Sequence, residues 1–236
     1  MSTDKTALVT GASSGIGRAI ARMLLDLGFK VTGIGREFRE REDFDMVICD
    51  LTDEERFSSV VVPLIKELQP GILVNCAGVG FYGLHENIAP EDIRTLVRTD
   101  LEVPLLLTSY VLPYMKQRKK GTIVNVCSVT SREVNTYGAA YGACKAGLLS
   151  FSRSIFEEAR KHDVRVIDIL PDMTDTSLYR NADFGCARET GCFLEPDDVA
   201  DALKNALSAR EGTIVREITL VPQYRRIGKK KDGQTV

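Results

Sequence analysis

Tyr141 and Lys145 stand four positions apart in the string Tyr-Gly-Ala-Cys-Lys, and Ser128 lies thirteen residues before the tyrosine, at the end of the apolar run TIVNV. On a helix, a four-residue step puts both side chains on one face. A phenol and an ammonium then share one small volume, with a hydroxyl supplied from a neighbouring strand. Tyrosine ionises near pH 10 in water, so bringing its phenol close to neutrality takes roughly 3 pH units, or about 4 kcal/mol in favour of the phenolate. An adjacent cation can supply that stabilisation. Such a phenol hands a proton to a carbonyl oxygen, or takes one from an alcohol, while the Ser128 hydroxyl holds that oxygen. The same spacing also occurs on plain solvated helix faces, so its meaning depends on the elements around it.

Those elements alternate. Short β-type runs, KTALVT, FKVTGIG, DMVICD, GILVN, GTIVNVC, VRVIDIL and REITLV, are separated by helical stretches around 15–27, 53–69, 90–117, 139–162 and 196–209. The alternation predicts an α/β fold, a doubly wound parallel sheet of about seven strands with helices on both faces. The near-continuous apolar character of the runs suits strands buried on both sides. Pro63, Pro104 and Pro113 interrupt two of the helical stretches, which are expected to start late or kink there. Pro196, followed by Asp197 and Asp198, opens the last one.

Directly after the first strand comes TGASSGIG, Thr10 to Gly17, followed by the helical pattern RAIARMLLDLG. Gly11, Gly15 and Gly17 permit a tight turn and close backbone approach, and the helix aims its first amides at Ser13, Ser14 and Ile16. Strand, glycines and helix in that order are the context of a dinucleotide pyrophosphate site. No Gly-Lys-Ser/Thr follows, which excludes a Walker loop.

The composition agrees with an enzyme-like body. The chain has 236 residues, 44% of them hydrophobic, enough for one large domain over 1–222. Thirty-one Lys and Arg are interspersed with 33 Asp and Glu, a formal charge of −2, so neither a nucleic-acid track nor a membrane patch is implied. The polar opening MSTDK and the brief apolar ALVTG resemble neither a signal peptide nor a bilayer span, and a cytoplasmic protein is expected. The six cysteines include no CxxC pair, and with only His85 and His162 beside them they read as buried thiols and not as metal ligands. Cys186 and Cys192, in a loop-like stretch, leave room for a redox switch. The lysine-rich tail, 223–236, reads as a frayed, solvated terminus.

Taken together, the N-terminal TGxxxGxG, the Asn75-Cys76-Ala77-Gly78 turn after the fourth strand, and Ser128, Tyr141 and Lys145 in order resemble the short-chain dehydrogenase/reductase family, in its compact single-domain form, over about residues 5–222. The resemblance implies a Rossmann-type sheet, NAD(P) as cofactor, and hydride transfer between nicotinamide and a carbonyl or alcohol carbon. It implies Ser128 as holder of the substrate oxygen and Tyr141 as proton donor or acceptor. Lys145 would lower the phenol's pKa and bind the nicotinamide ribose. Asp50 with Leu51 would meet the adenine, and Asn75, Ala77 and Gly78 would form the turn that passes beside the adenosine ribose and steadies the sheet. Pro171 opens the loop over the nicotinamide, with Thr174 and Thr176 as contacts to its carboxamide and phosphates. In dinucleotide folds an acid at the end of the second strand binds the ribose hydroxyls. Here that place reads Gly35-Arg36, and a guanidinium suits a phosphate fork, so NADP(H) is expected over NAD(H), with NAD(H) kept open.

Two positions depart from the family pattern. Asp100 replaces the usual asparagine of the long helix, and Asp172 the usual glycine after Pro171. An ionised Asp100 would hold Lys145 directly and alter the proton relay, or slow the enzyme. Residues 36–45 leave room only for a short charged loop in place of a helix. Residues 177–194, with Tyr179, Phe184, Gly185, Gly191 and Phe193, resemble a mobile substrate lid. Leu178, Phe81 and Tyr82 would add apolar walls for a moderately hydrophobic ketone or alcohol. The family also implies pairing as a homodimer or homotetramer through the helices of Asp100 and Lys145, where Ala139, Ala140, Ala143, Ala146 and Gly147 allow close packing. Against the oxidoreductase stands a regulatory protein that binds cofactor with little turnover, motivated by Asp100 and Asp172. An extended-branch epimerase fits less well, for want of a second domain.

Overall fold

The apolar runs become strands at the positions their pattern marks. In the computed structural model, which describes residues 5–229, these are β1 (Thr6–Thr10), β2 (Lys30–Gly35), β3 (Asp45–Ile48), β4 (Ile72–Asn75), β5 (Gly121–Val126) and β6 (Val164–Pro171). β7 (Phe184–Cys186), β8 (Glu217–Leu220) and β9 (Ile227–Lys229) follow. β1 to β6 and β8 pair in parallel in the order β3-β2-β1-β4-β5-β6-β8, while β7 and β9 form a separate antiparallel ribbon. The helices are α1 (Gly15–Asp26), α2 (54–68), α3 (90–118), α4 (Ala139–Ala159) and α5 (Pro196–Leu207).

Alternation along each strand builds two cores. Ala7 and Val9 of β1 face Ile20 and Leu24 of α1 and Val199 and Leu203 of α5. Leu8 faces the other way, with Phe57 and Ile65 of α2 and Leu107 and Met115 of α3. β5 is buried at every residue, as a strand covered on both faces must be.

The prolines neither delay nor break the helices. α2 and α3 each contain one wide turn, Phe57–Val61 and Arg98–Glu102, and Pro63 and Pro104 follow two residues later. Widening the turn leaves slack where the proline lacks its N–H, so the helix runs on. Under α3 and α4 a lateral polar ladder crosses the sheet at one register: Asn75 beside Asn125, Asn125 beside Asp168, Asp168 beside Glu217. Asn125 donates to Ser152 of α4 at 3.0 Å, and Ser152 donates to Asp168 in a very short contact.

The segment after β8, read from composition as a solvated tail, contributes β9 and lies over residues 184–191, with the Tyr224 N–H donating to the Gly191 carbonyl at 2.8 Å. The polar start at 1–4 and the lysine-rich end at 230–236 lie outside the described residues. Among the described residues no helix is long and apolar enough to cross a membrane.

Candidate active site

The strand order reverses between β1 and β4, and at this switch the carboxyl ends of the strands open a crevice. Thr10, closing β1, ties the two sides together. Its hydroxyl donates to the Val74 carbonyl at 3.2 Å and accepts from the Cys76 and Ala77 amides at 3.0 and 3.1 Å. The neighbouring Gly11 has φ +67°, and a Cβ there would come within 2.9 Å of the Ala77 backbone. No side chain fits between the two turns. Ser14 begins α1 in extended conformation with no side-chain cap, which leaves the first-turn amides free to meet an anion.

The acid/base group sits on the other side of the crevice. Tyr141 and Lys145, one turn apart on α4, are 5% exposed each, and Ser128 follows β5 at 7%. Lys145 Nζ lies 5.6 Å from the centre of the Tyr141 ring. It donates to the Val126 carbonyl at 3.1 Å and stands 3.1 Å from Asp100 Oδ1. Asp100 is wholly buried in the wide turn of α3, its Oδ2 accepting from the Val79 amide at 3.0 Å. Gly78 makes this approach possible, since a Cβ there would lie 2.9 Å from Asp100 Oδ1.

The charges of this group differ from the expectation that Lys145 draws the phenol towards neutrality. Burial, then the Asp100 carboxylate, then Tyr179, push the Tyr141 phenol well above its usual value, with a hydrogen bond to Ser128 opposing them. Burial is the main reason, and the Asp100 carboxylate that faces the ammonium adds to the rise. Burial works against the Lys145 ammonium, but Asp100 outweighs it and holds Lys145 above its ordinary value. Burial raises the Asp100 carboxyl, while Lys145 and the Val79 amide pull it back. We read the pair as charged on both sides, because each partner has a second hydrogen-bonded contact. The nearby Cys76 and Cys127 thiols are pushed up to about 12 by burial and stay neutral.

One cavity of ≈ 1180 Å³ joins the two sides. Gly11, Ser13, Ser14, Gly15, Ile16 and Gly17 line it at one end, and Ser128, Tyr141 and Lys145 at the other. Arg36, Asp50 and Leu51 border it beyond β2 and β3, and Ala77, Gly78, Pro171, Thr174 and Thr176 lie between. Burial opposes ionisation of Asp50, yet Thr52 and then Arg36 hold its carboxyl below the usual range. Thr176 caps the turn Ser177–Asn181 and packs over Gly15. The size and the glycine-and-amide cradle fit a dinucleotide with a small substrate beyond it.

Asn75 is the exception. It is absent from the cavity wall and 2% exposed, donating to Asn125 at 2.8 Å and Thr108 at 3.4 Å. Its alternating position on β4 aims it at the α3 layer and into the polar ladder, in keeping with the expected part of this turn in steadying the sheet. Tyr179 and Phe184 pack their rings on Tyr82, and Tyr82 lies 5.8 Å from the Tyr141 ring. Cys192 is buried at 1% and Cys186 half-buried, its thiol raised to about 11 by burial, with Asp175 adding to the rise. Arg225, Glu133 and Asp172 also line the cavity. Sequence reasoning missed Arg225; the unexplained carboxylate at 172 was the available signal for a cationic partner.

The family model for short chain dehydrogenase matches residues 5–184. An uncharacterized oxidoreductase of Staphylococcus saprophyticus is 32% identical over 232 residues, covering 93% of this chain and 97% of its own length. The crystal structure of a metagenomic short-chain oxidoreductase in complex with NADP superposes with a TM-score of 0.77 at 29% identity, covering 94% and 98% of the two chains. A 4-hydroxyisoleucine dehydrogenase complexed with NADH shares the fold at a TM-score of 0.79 and 23% identity, covering 92% and 96%.

Proposed function

The chain belongs to the short-chain dehydrogenase family, and from that premise we propose that it is an NADP(H)-dependent oxidoreductase acting on a carbonyl or secondary alcohol carbon. The observation that carries the reading is the joint burial of Ser128, Tyr141 and Lys145 on the cavity that the glycine turn opens. When bound, the reduced nicotinamide supplies hydride to the carbonyl carbon. Ser128 holds the carbonyl oxygen by its hydroxyl, and Tyr141 delivers its phenolic proton to that oxygen as negative charge grows there. The Tyr141 phenolate left behind takes its next proton from solvent. Lys145, fixed by Asp100 and the Val126 carbonyl, keeps its position and meets the ribose side of the cofactor. A phenol held protonated at neutral pH has the proton in place for donation to the carbonyl oxygen.

Arg36, beside the cavity at the place where other dinucleotide folds carry an acid, supports NADP(H) over NAD(H). The NADP bound by the metagenomic relative supports the same reading, while NADH in a more distant fold neighbour keeps NAD(H) open. Val97, Leu106 and Tyr110 of α3, each about 40% exposed, support self-association through that helix.

The test is NADPH consumption with a panel of diketones, quinones, aldehydes and steroid ketones. Oxidation with at least one class is expected, and Tyr141→Phe should lower that rate at least a hundredfold while NADPH affinity stays within about threefold, the scale of a lost general acid. NADPH binding without oxidation across the whole panel would instead mark a cofactor sensor.

A further inference from the structure

The region between β8 and the end of β9 touches the mouth of the cavity at several points, and one side chain joins them. Arg225 forks onto Glu133, with Nη1 2.8 Å from Oε2 and Nη2 donating to Oε1 at 3.1 Å, and its Nε lies 3.2 Å from Asp172 Oδ2. Glu133 belongs to the loop between Ser128 and Tyr141, and Asp172 follows Pro171 on the cofactor side. A single guanidinium therefore bridges the loop that holds the substrate oxygen and the loop over the cofactor. Glu133 and then Asp172 hold Arg225 firmly charged. An exposed ion pair contributes little alone, but a bidentate fork shared by two carboxylates is the geometry in which it does contribute.

The same segment fastens the lid. β9 pairs with β7 from Phe184 opposite Lys229 to Cys186 opposite Ile227, and Arg226 bonds Glu189. Next to Arg225, the Tyr224 amide holds Gly191. Phe184 of β7 in turn packs its ring on Tyr82, 5.2 Å between centres, and Tyr82 packs on Tyr141. Asp172, out of place as a family residue, gains a role here as the second seat of Arg225.

We propose that Arg225 is a positioning residue of the substrate site, clasping the lid and both mouth loops into one wall through Glu133 and Asp172. The inference rests on the oxidoreductase reading for its kinetic half only. Because Glu133 and Asp172 already neutralise Arg225, this guanidinium serves as a latch and is not available to capture a substrate carboxylate.

The experiment compares the full chain with Arg225→Gln, Asp172→Gly and the double variant. Each single change should raise KM for the carbonyl substrate about tenfold, more than it lowers kcat, with NADPH affinity within about twofold. The double variant should be clearly less than additive, since the two singles share the Arg225–Asp172 contact. Arg225→Lys should recover only part of the loss, lacking the fork. Hydrogen exchange at the amides of 184–186 and 227–229 should speed up at least fivefold in Arg225→Gln. Unchanged exchange would overturn the clasp, and additive effects or an unchanged KM would overturn the positioning role. If the wild-type chain reduces none of the panel, the oxidoreductase reading fails, and the exchange comparison still decides the clasp.

Discussion

At the scale of single residues, the pair Asp100–Lys145 decides how Tyr141 behaves. Since burial and Asp100 hold the phenol's pKa above its ordinary value, near 10 for a free tyrosine, the protonated donor persists across neutral pH. The rate of carbonyl reduction should therefore stay level through pH 6 to 9 and fall only in strong alkali, while alcohol oxidation should climb over the same range. A reduction rate already halved near pH 7.5 would contradict this. Removing the carboxylate in Asp100→Asn takes away a group that pushes the phenol up, so the alkaline limb of kcat should move to lower pH. The pH profile of the variant beside the wild type reads this directly, and a limb that stays or moves up would sink the assignment. Arg36 belongs to the same scale: Arg36→Leu should weaken NADPH at least tenfold more than NADH, the cost of a lost charge-assisted fork. Equal loss of the two cofactors in titrations would refute the 2′-phosphate role.

Between elements, the decisive approach is that of the turn after β4 to the wide turn of α3. Gly78 admits Asp100 there, and a methyl group at 78 would stand 2.9 Å from its Oδ1. Gly78→Ala should accordingly cost about 1–3 kcal/mol of stability, as overpacking does, measured by denaturant unfolding; a loss below measurement would mean that α3 yields without strain. The wide turns explain why two proline-bearing helices survive intact, something the residue pattern alone misjudged. The segment 177–194 is likewise an affair of elements. Its aromatic anchors were readable at Tyr179 and Phe184, but its partner strand β9 lies some forty residues on, with three-residue strands too short to leave a periodic signal.

For the molecule as a whole, the polar ladder beneath α3 and α4 carries a buried carboxylate. Burial raises Asp168 to about 6, against the hydrogen bonds of Ser152 and Asn125 and the charges of Arg216 and Arg153. A carboxyl whose folded pKa exceeds its unfolded one favours the folded state most when protonated, so this contribution is full below about pH 4 and is lost as pH rises to 6. Asp168→Asn keeps an acceptor for Ser152 without the charge. It should raise stability by about 3 kcal/mol at pH 7.5, from a gap of roughly two pH units, and by little at pH 4. Unfolding curves at the two pH values test it, and a gain independent of pH would rule out this origin. Family membership, the parallel sheet and the order of its strands all act at this largest scale.

Much of that scale was legible before any coordinates. Each of the seven main strands and five helical stretches falls where apolar runs, glycines and turn residues marked it; for the five inner strands, burial on both faces of the parallel sheet imposes a local pattern that survives in the chain. Ser128, Tyr141, Lys145 and the glycine turn were legible for the same reason: one helical turn and one strand end fix their spacing. Tertiary structure alone decided the rest. Whether Asp100 meets Lys145, whether Asn75 turns to the crevice or to the ladder, and that Arg225 bridges Glu133 and Asp172 depend on residues 45 to 92 positions apart. Charge and burial at such contacts are properties of the assembled interior, where a neighbour's field acts through low dielectric, and no local spacing encodes them.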